Sequence, residues 1–107
     1  MKRRVRLDAG LAAAALAHMP PHEKRRMKKA LRALGDDATG RSSRLDVKLL
    51  DLSDKLPRLY RLRVGMWRAI FAIRDRDIIV TRIFHRSEGY GWLERLDSPG
   101  RPPVEDE

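Results

Sequence analysis

Residues that could carry out acid–base chemistry lie close together late in the chain. His85 and Arg86 are adjacent, and Tyr90 lies four residues after Arg86. Arginine stays protonated and offers five N–H donors, which suit a phosphate group. Histidine and tyrosine can exchange a proton with a reacting group. Together these residue types fit the cleavage of a phosphodiester bond, which needs a base, an acid and stabilised phosphate charge.

The residues before this group alternate between apolar and basic side chains, a pattern typical of β-strands. In residues 60–64, Arg61 and Arg63 separate three apolar residues. Gly65-Met66 fits a two-residue hairpin turn with glycine at the first central position. Arg63 would then lie opposite Arg68 on the next strand.

The length of the next turn, at residues 75–77, decides which face carries Arg82. We predict a three-residue loop, because a two-residue loop would turn Arg82 toward the core. The loop would pair Ile73 with Ile79, Phe71 with Thr81, and Ala69 with Ile83. The side chains predicted to pack against helices are Trp67, Phe71, Ile73, Ile79 and Ile83.

This register places five arginines on one face of a three-stranded meander: Arg61, Arg63, Arg68, Arg74 and Arg82. Like charges on facing strands destabilise a sheet. No acid lies on the face between Arg61 and Arg82 in this register, and Ile70, Val80 and Phe84 lie among the arginines. A solvated polar face is the simpler interpretation, but a lack of acids favours a surface that binds a polyanion.

Composition supports this interpretation. The chain has 107 residues and a net charge of +9, and residues 97–107 contribute −3, so residues 1–96 carry +12. Such a charge favours nucleic acids, acidic proteins or anionic membranes as partners. We expect one domain over residues 1–96 and a disordered acidic tail over residues 97–107. Cysteine is absent and no apolar run would span a membrane, so we expect a cytoplasmic protein.

The N-terminal third predicts one strand and two helices. Residues 2–7 form the strand, Asp8 caps a helix that ends near Met19, and Pro20-Pro21 begins a second helix that stops at Gly35. An export signal is the weaker interpretation, because Asp8 interrupts the apolar run. The second helix carries a basic surface that we interpret as a docking site: Lys24, Arg25, Lys28, Lys29 and Arg32.

The predicted fold is therefore α+β, with an N-terminal strand, a two-helix hairpin and an antiparallel three-stranded meander. In this order, with YRLRVGMWRAIFAI at residues 60–73 and HRSEGY at residues 85–90, the chain resembles the RelE/ParE superfamily of type II toxins. The resemblance implies a β-α-α-β-β-β sheet packed on helices. It also implies a cognate antitoxin as partner in a hetero-oligomer, with the toxin alone monomeric.

The superfamily contains two kinds of toxin. RelE-like members cut messenger RNA in the ribosomal A site, and ParE-like members poison DNA gyrase. The chain is similar to the RelE branch at Arg61 and Arg63, at Arg68 after Trp67, and at Arg86 with Tyr90. It departs from some RelE proteins in having arginine where they have lysine, and an arginine cannot serve as a base. Gly89 also replaces a more usual aliphatic residue.

The chemistry of a metal-independent endoribonuclease can be assigned to these side chains. Tyr90 is the expected base, since neighbouring cations lower the pKa of a tyrosine, and Arg68 and Arg86 would hold the phosphate charge. His85 is the alternative for proton transfer, although strand alternation turns it toward the core. Arg61 and Arg63 complete the expected site, and Arg74, Arg82 and the helix surface would bind RNA or ribosome. No metal or other cofactor is expected; a gyrase poison and a binding-only protein remain alternatives.

Overall fold

The fold combines a five-stranded mixed sheet with two helices on one of its faces. In this computed structural model the described residues are 2–38, 44–50 and 58–88. The elements in chain order are β1 (Arg4–Leu7), α1 (Leu11–His18), α2 (Pro21–Asp36), β2 (Asp46–Leu49), β3 (Tyr60–Val64), β4 (Trp67–Arg74), β5 (Asp77–His85) and a single 3-10 turn (Arg86–Glu88). The predicted α+β class and the order of strand, two helices and meander are confirmed.

The sheet has the strand order β1-β5-β4-β3-β2. β1 runs parallel to β5, and all the other neighbours are antiparallel. β2 extends the predicted three-stranded meander by one antiparallel strand, so β1 and β2 are the outermost of the described strands. The helical segment between β1 and the meander lets the first and last strands lie side by side.

The β3–β4 hairpin has the predicted register. Val64 lies opposite Trp67 and Arg63 lies opposite Arg68. Gly65 has a φ of +60°, a left-handed conformation that glycine adopts without steric cost. The two-residue turn at Gly65-Met66 is therefore confirmed, and with it the pairing of two arginines across the strands.

The β4–β5 turn differs from the prediction. Arg74 pairs with Asp77, so the loop contains two residues, Asp75 and Arg76, and Asp75 adopts a φ of +52° that aspartate tolerates. The register then shifts by one residue next to Ile70 and Phe71. This β-bulge explains why Arg82 still lies on the face away from the helices, because it adds the residue that the shorter loop lacks.

The bulge also changes which β5 side chains reach the core. Ile78 and Val80 are fully buried in the main apolar cluster, whereas Ile79 is only partly buried and lies outside it. The prediction that Ile79 packs against the helices was therefore wrong. The prediction that Val80 lies among the arginines was wrong as well. The other side chains predicted to pack against the helices do lie in this cluster, and Ala69 is buried with them: Trp67, Phe71, Ile73 and Ile83.

The two helices cover this face with a stripe of buried side chains: Ala12, Leu16, Met27, Leu31 and Leu34. α1 begins at Leu11, and its N-cap Gly10 makes no side-chain capping hydrogen bond. Asp8 instead accepts a 2.8 Å hydrogen bond from the Gly10 N–H. The predicted cap at Asp8 was therefore wrong: its carboxylate closes the turn before the helix.

The prediction that the second helix stops at Gly35 was wrong, because α2 continues to Asp36. Gly35 is buried in the last turn of α2, where a Cβ atom would lie 2.7 Å from the backbone oxygen of Arg3. The Arg3 N–H also donates a 2.7 Å hydrogen bond to the Gly35 carbonyl. Glycine is required here because the helix backbone and the chain entering β1 come into direct contact.

The expected acidic tail at residues 97–107 lies outside the described residues. Within the described part of the chain, no helix is long and apolar enough to cross a membrane.

Candidate functional site

The face of the sheet away from the helices is strongly basic, and we call it the arginine face. Its basic side chains on the described strands are Arg4, Arg6, Lys48, Arg61, Arg63, Arg68, Arg74 and Arg82. Two carboxylates, Asp46 and Asp77, lie on the same face of these strands, one toward each edge of the sheet. The excess of positive charge makes this face suited to an anionic partner.

Apolar side chains lie between the arginines in the middle of this face. Arg61 and Arg82 both lie directly opposite Ile70, one on each neighbouring strand. Ile70 is fully buried and forms a second apolar cluster with Leu59 and Phe84. The aliphatic parts of long basic side chains can cover such residues while their charged ends remain available.

The prediction that no acid lies on this face between Arg61 and Arg82 was wrong, because Asp77 lies there opposite Arg74. Asp46, which precedes that segment, is a second acid on the face. It lies on β2 directly opposite Arg63. Its Oδ1 is 2.7 Å from Nη2 of Arg61, and its Oδ2 is 4.0 Å from Nη1 of Arg63. The carboxylate thus bridges two of the predicted site arginines and offsets part of their charge.

The β2 strand also contributes Lys48, which lies opposite Arg61. Sequence reasoning missed both Asp46 and Lys48 as members of this face. The signal was the alternation of Asp46, Val47, Lys48 and Leu49, which puts both charged residues on one side of a strand.

Asp77 is the counterpart of Asp46 near the other edge of the sheet. Its two carboxylate oxygens lie 3.4 Å from Nε of Arg4 and 3.4 Å from Nη1 of Arg6. It also lies opposite Arg74, which is exposed at the end of β4. This single carboxylate offsets part of the charge of the three arginines around it, as Asp46 does for Arg61 and Arg63.

Arg68 and Arg86 each form a hydrogen bond with the β3–β4 turn. Nη1 of Arg68 donates 3.0 Å hydrogen bonds to the carbonyls of Gly65 and Trp67. The backbone N–H of Arg86 donates a 2.7 Å hydrogen bond to the Met66 carbonyl. The two arginines predicted to hold a phosphate are thus both anchored at this turn, although they are 18 residues apart in the chain.

His85 lies on the other side of the sheet from the arginines. Its ring contacts Trp67 edge to face, with the ring centroids 5.3 Å apart. Its Nδ1 lies 2.9 Å from the Ser87 hydroxyl and accepts a 3.2 Å hydrogen bond from the Ser87 backbone N–H. The predicted orientation of His85 toward the helix side is confirmed, and His85 is therefore separated from Arg61 and Arg63.

The basic residues of α2 form a second surface in the helix layer. Arg25, Lys28, Lys29 and Arg32 are exposed, and Lys24 is partly buried. Because the helices pack on the opposite face of the sheet, this surface is separate from the arginine face. Tyr90, the expected base, lies outside the described residues.

A family model described as "ParE toxin of type II toxin-antitoxin system, parDE" matches residues 10–90. The chain belongs to this family. It is therefore a toxin of a type II toxin–antitoxin system and a member of the RelE/ParE superfamily. A search of curated proteins finds no match to the toxin.

Solved structures of RelE toxins in complex with RelB antitoxins share the toxin's fold. The archaeal RelE-RelB complex from Pyrococcus horikoshii OT3 matches with a TM-score of 0.65 and 25% identity, over 80% of this chain and 97% of that chain. The RelB-RelE complex from Methanococcus jannaschii matches with a TM-score of 0.59 and 23% identity, over 78% and 92%. RelBE2 from Mycobacterium tuberculosis matches with a TM-score of 0.65 and 20% identity, over 81% and 94%.

The toxin's described residues include no group of three or more His, Asp or Glu side chains that could hold a metal ion. What the arginine face offers instead is charge and hydrogen-bond donors. Arg61, Arg63 and Arg68 lie on two paired strands, so their spacing is set by the sheet. Such a rigid array of donors suits the phosphates of a nucleic-acid strand.

Proposed function

We propose that the toxin is a ribosome-dependent endoribonuclease of the RelE type. It cuts messenger RNA in the ribosomal A site without a metal ion and so inhibits translation in the cytoplasm. Membership of the RelE/ParE superfamily and the fold likeness to RelE from Pyrococcus horikoshii OT3 support this proposal. The residues of the toxin favour the ribonuclease over other activities of the superfamily.

The observation that carries the proposal is the placement of Arg61, Arg63 and Arg68 around buried Ile70 on the arginine face. Arg63 and Arg68 face each other across paired strands, which costs free energy, and the carboxylate of Asp46, 4.0 Å from Arg63, offsets only part of that charge. A further anion above the arginines would lower the cost. A phosphodiester strand supplies that anion. The phosphate contacts would hold the message in register while the reacting groups act on one bond.

Each side chain then has a defined role. Tyr90, as the phenolate, removes the proton of the 2′-hydroxyl, and that oxygen attacks the neighbouring phosphorus to form a 2′,3′-cyclic phosphate as the bond to the 5′-oxygen breaks. The departing 5′-oxygen takes up a proton from water. Arg68 and Arg86 stabilise the negative charge on the phosphorane oxygens, an effect worth several kcal/mol when the donors are preorganised. His85 lies on the helix side beside Trp67, which disfavours it as the base and supports Tyr90 for that role.

The α2 surface would anchor the toxin to ribosomal RNA. Its exposed arginines and lysines offer charge without a fixed geometry for one phosphate, as expected for binding that does not depend on sequence. Arg74 and Arg82 would extend the RNA path along the arginine face. A cognate antitoxin would cover part of these basic surfaces. An acidic or amphipathic segment of the antitoxin would complement them best.

A gyrase poison is the second candidate, because the matching family model is that of ParE toxin. The two activities differ in their product. A ribonuclease of the RelE type cuts messages at positions set by the reading frame, whereas a gyrase poison produces breaks in DNA.

The deciding experiment expresses the toxin in a translating extract and maps the 5′ ends of the message. We expect cuts spaced by codons, which disappear when translation is blocked before elongation. Tyr90→Phe should lower the cleavage rate by about 10²–10⁴-fold and leave ribosome binding nearly unchanged, because it removes only a hydroxyl group. DNA breaks that depend on gyrase, with an intact message, would support the second candidate.

If Tyr90→Phe cleaves at the full rate, Tyr90 has no part in the reaction. His85→Gln is the matched variant for that outcome, because it keeps a polar side chain beside Trp67. A defect in His85→Gln alone would transfer the base to His85. An intact message and intact DNA with both wild type and variants would contradict both activities and leave a protein that only binds.

A further inference from the structure

Asp46 and Arg61 form an unusual pair at the edge of the arginine face. The Arg61 side chain is only 15% exposed, whereas that of Asp46 is 52% exposed. Arg61 lies on β3, between β2 and β4, and Asp46 lies on the edge strand β2. The arginine is thus held in place by its surroundings, and the carboxylate can rotate into solvent without disturbing the core.

The pair leaves one donor of Arg61 unused. Oδ1 of Asp46 accepts from Nη2 of Arg61, while Oδ2 turns toward Arg63 at 4.0 Å. Nε of Arg61 is buried and has no hydrogen-bond partner within the described part of the chain. Nε and Nη2 share one edge of a guanidinium, and a phosphate can accept hydrogen bonds from both at once. A buried donor without a partner is costly.

Asp46 is therefore a poor counterion for the two arginines that it bridges. Its two oxygens cannot accept hydrogen bonds from both Nε and Nη2 of Arg61 and also approach Arg63 within hydrogen-bond distance. A phosphate group has an additional oxygen, and a nucleic-acid strand brings further phosphates for Lys48 and Arg68. An ion pair with an exposed partner is weak, so such a strand can displace the carboxylate.

We propose that Asp46 occupies the position of an RNA phosphate between Arg61 and Arg63 and that bound RNA displaces it. This inference rests on the proposed binding of RNA to the arginine face. Asp46 then sets the affinity of the face: it offsets the repulsion among the arginines in the free toxin and opposes weak or isolated anions. A strand that makes several phosphate contacts at once overcomes this opposition.

The test compares Asp46→Asn with Asp77→Asn. Both variants raise the net charge by one, and both remove a carboxylate that bridges two arginines on the same face. Asp77 lies two strands away from Arg61, beyond the screening length of about 8 Å at physiological salt. The probe is a short single-stranded oligoribonucleotide with 2′-O-methyl groups, which cannot be cleaved, and fluorescence anisotropy gives its dissociation constant.

We expect Asp46→Asn to bind the probe about tenfold more tightly at physiological salt, the equivalent of about 1.4 kcal/mol, and Asp77→Asn to change the affinity by less than about twofold. The gain in affinity should disappear when Arg61→Gln is combined with Asp46→Asn, because the guanidinium that would bind the phosphate is then absent. Thermal unfolding of each variant establishes that it is folded. If Asp46→Asn does not fold, Asp46→Ser replaces it with the same expectation.

Equal affinity gains in Asp46→Asn and Asp77→Asn would overturn the inference, because the effect would then be one of net charge. Weaker binding by Asp46→Asn would also overturn it and make Asp46 a positioning residue for Arg61. Unchanged binding with lost message cleavage would overturn it in favour of a proton-transfer role. Tighter binding without any cleavage by wild type would support the inference while contradicting the proposed ribonuclease.

Discussion

The indole Nε1 of Trp67 donates a 2.7 Å hydrogen bond to Oε1 of Glu23, 44 residues earlier in the chain. This contact joins the start of β4 to the first turn of α2. Trp67 also packs against the main core and against the ring of His85. The hydrogen bond therefore ties the helix layer to the end of the sheet where Arg68 and Arg86 bond to the β3–β4 turn.

Trp67→Phe should lower the free energy of unfolding by about 1–3 kcal/mol, because it leaves the partly buried Glu23 carboxylate without its donor. Urea unfolding followed by circular dichroism measures the change. Glu23→Gln is the matched control, since its side-chain oxygen can still accept from the indole, and it should cost less. An equal or larger loss in Glu23→Gln would contradict the role of this hydrogen bond.

The β4–β5 register predicts different costs for two neighbouring isoleucines. Ile78 is fully buried in the main core, whereas Ile79 is partly exposed on the other face. Ile78→Ala should lower the free energy of unfolding by about 2–5 kcal/mol, and Ile79→Ala by about 1 kcal/mol. Chemical denaturation of the two variants is the measurement. A larger loss in Ile79→Ala than in Ile78→Ala would support the three-residue loop and contradict the bulge.

Gly35→Ala should destabilise the toxin although alanine is the better helix former. Helix propensity alone favours alanine over glycine by about 1 kcal/mol. The new Cβ would lie 2.7 Å from the Arg3 backbone oxygen, so β1 or α2 must move, and we expect a net loss of about 1–3 kcal/mol. The melting temperature measures the effect.

Gly10→Ala is the control for this substitution, because its Cβ would lie 3.4 Å from the Asp8 carboxylate, an ordinary contact. It should change the melting temperature little. A stabilised Gly35→Ala variant would show that the approach of α2 to the N-terminal strand tolerates a methyl group.

The α2 surface should contribute to ribosome binding and not to the cleavage step. Arg25→Ala and Arg32→Ala should weaken binding and flatten its dependence on salt, since each phosphate contact contributes about 0.9 to the slope of log K against log salt on a duplex. Sedimentation with ribosomes over a salt series measures both quantities. Cleavage at saturating toxin should remain near that of wild type.

Arg76→Ala is the control for the α2 variants, because Arg76 is exposed in the β4–β5 turn and lies outside both basic surfaces. It should leave the salt slope unchanged. A loss of cleavage at saturation in Arg25→Ala or Arg32→Ala would place the α2 surface in the reacting site instead of the docking site.

Local patterns were sufficient for β1, both helices, β3 to β5 and one register, but not for β2. The alternation around Arg61 and Arg63 predicts β3, and Gly65 predicts the turn that pairs Arg63 with Arg68. These features depend on neighbours in the chain, because side-chain alternation and the conformational freedom of glycine act within a few residues. The division of His85 from the arginines also follows from alternation along one strand.

Contacts between distant segments were decided only by the tertiary structure. The bulge beside Ile70 and Phe71 depends on which β5 residues fit against the helices, and the turn length alone could not reveal it. Gly35 is a glycine because β1 passes next to α2, and Asp46 reaches Arg61 because β2 pairs with β3. Sequence by itself determined the residue types, the alternating faces and the excess of positive charge. Packing determined which of those charges meet, because side chains far apart in the chain become neighbours only when the sheet and helices close around one core.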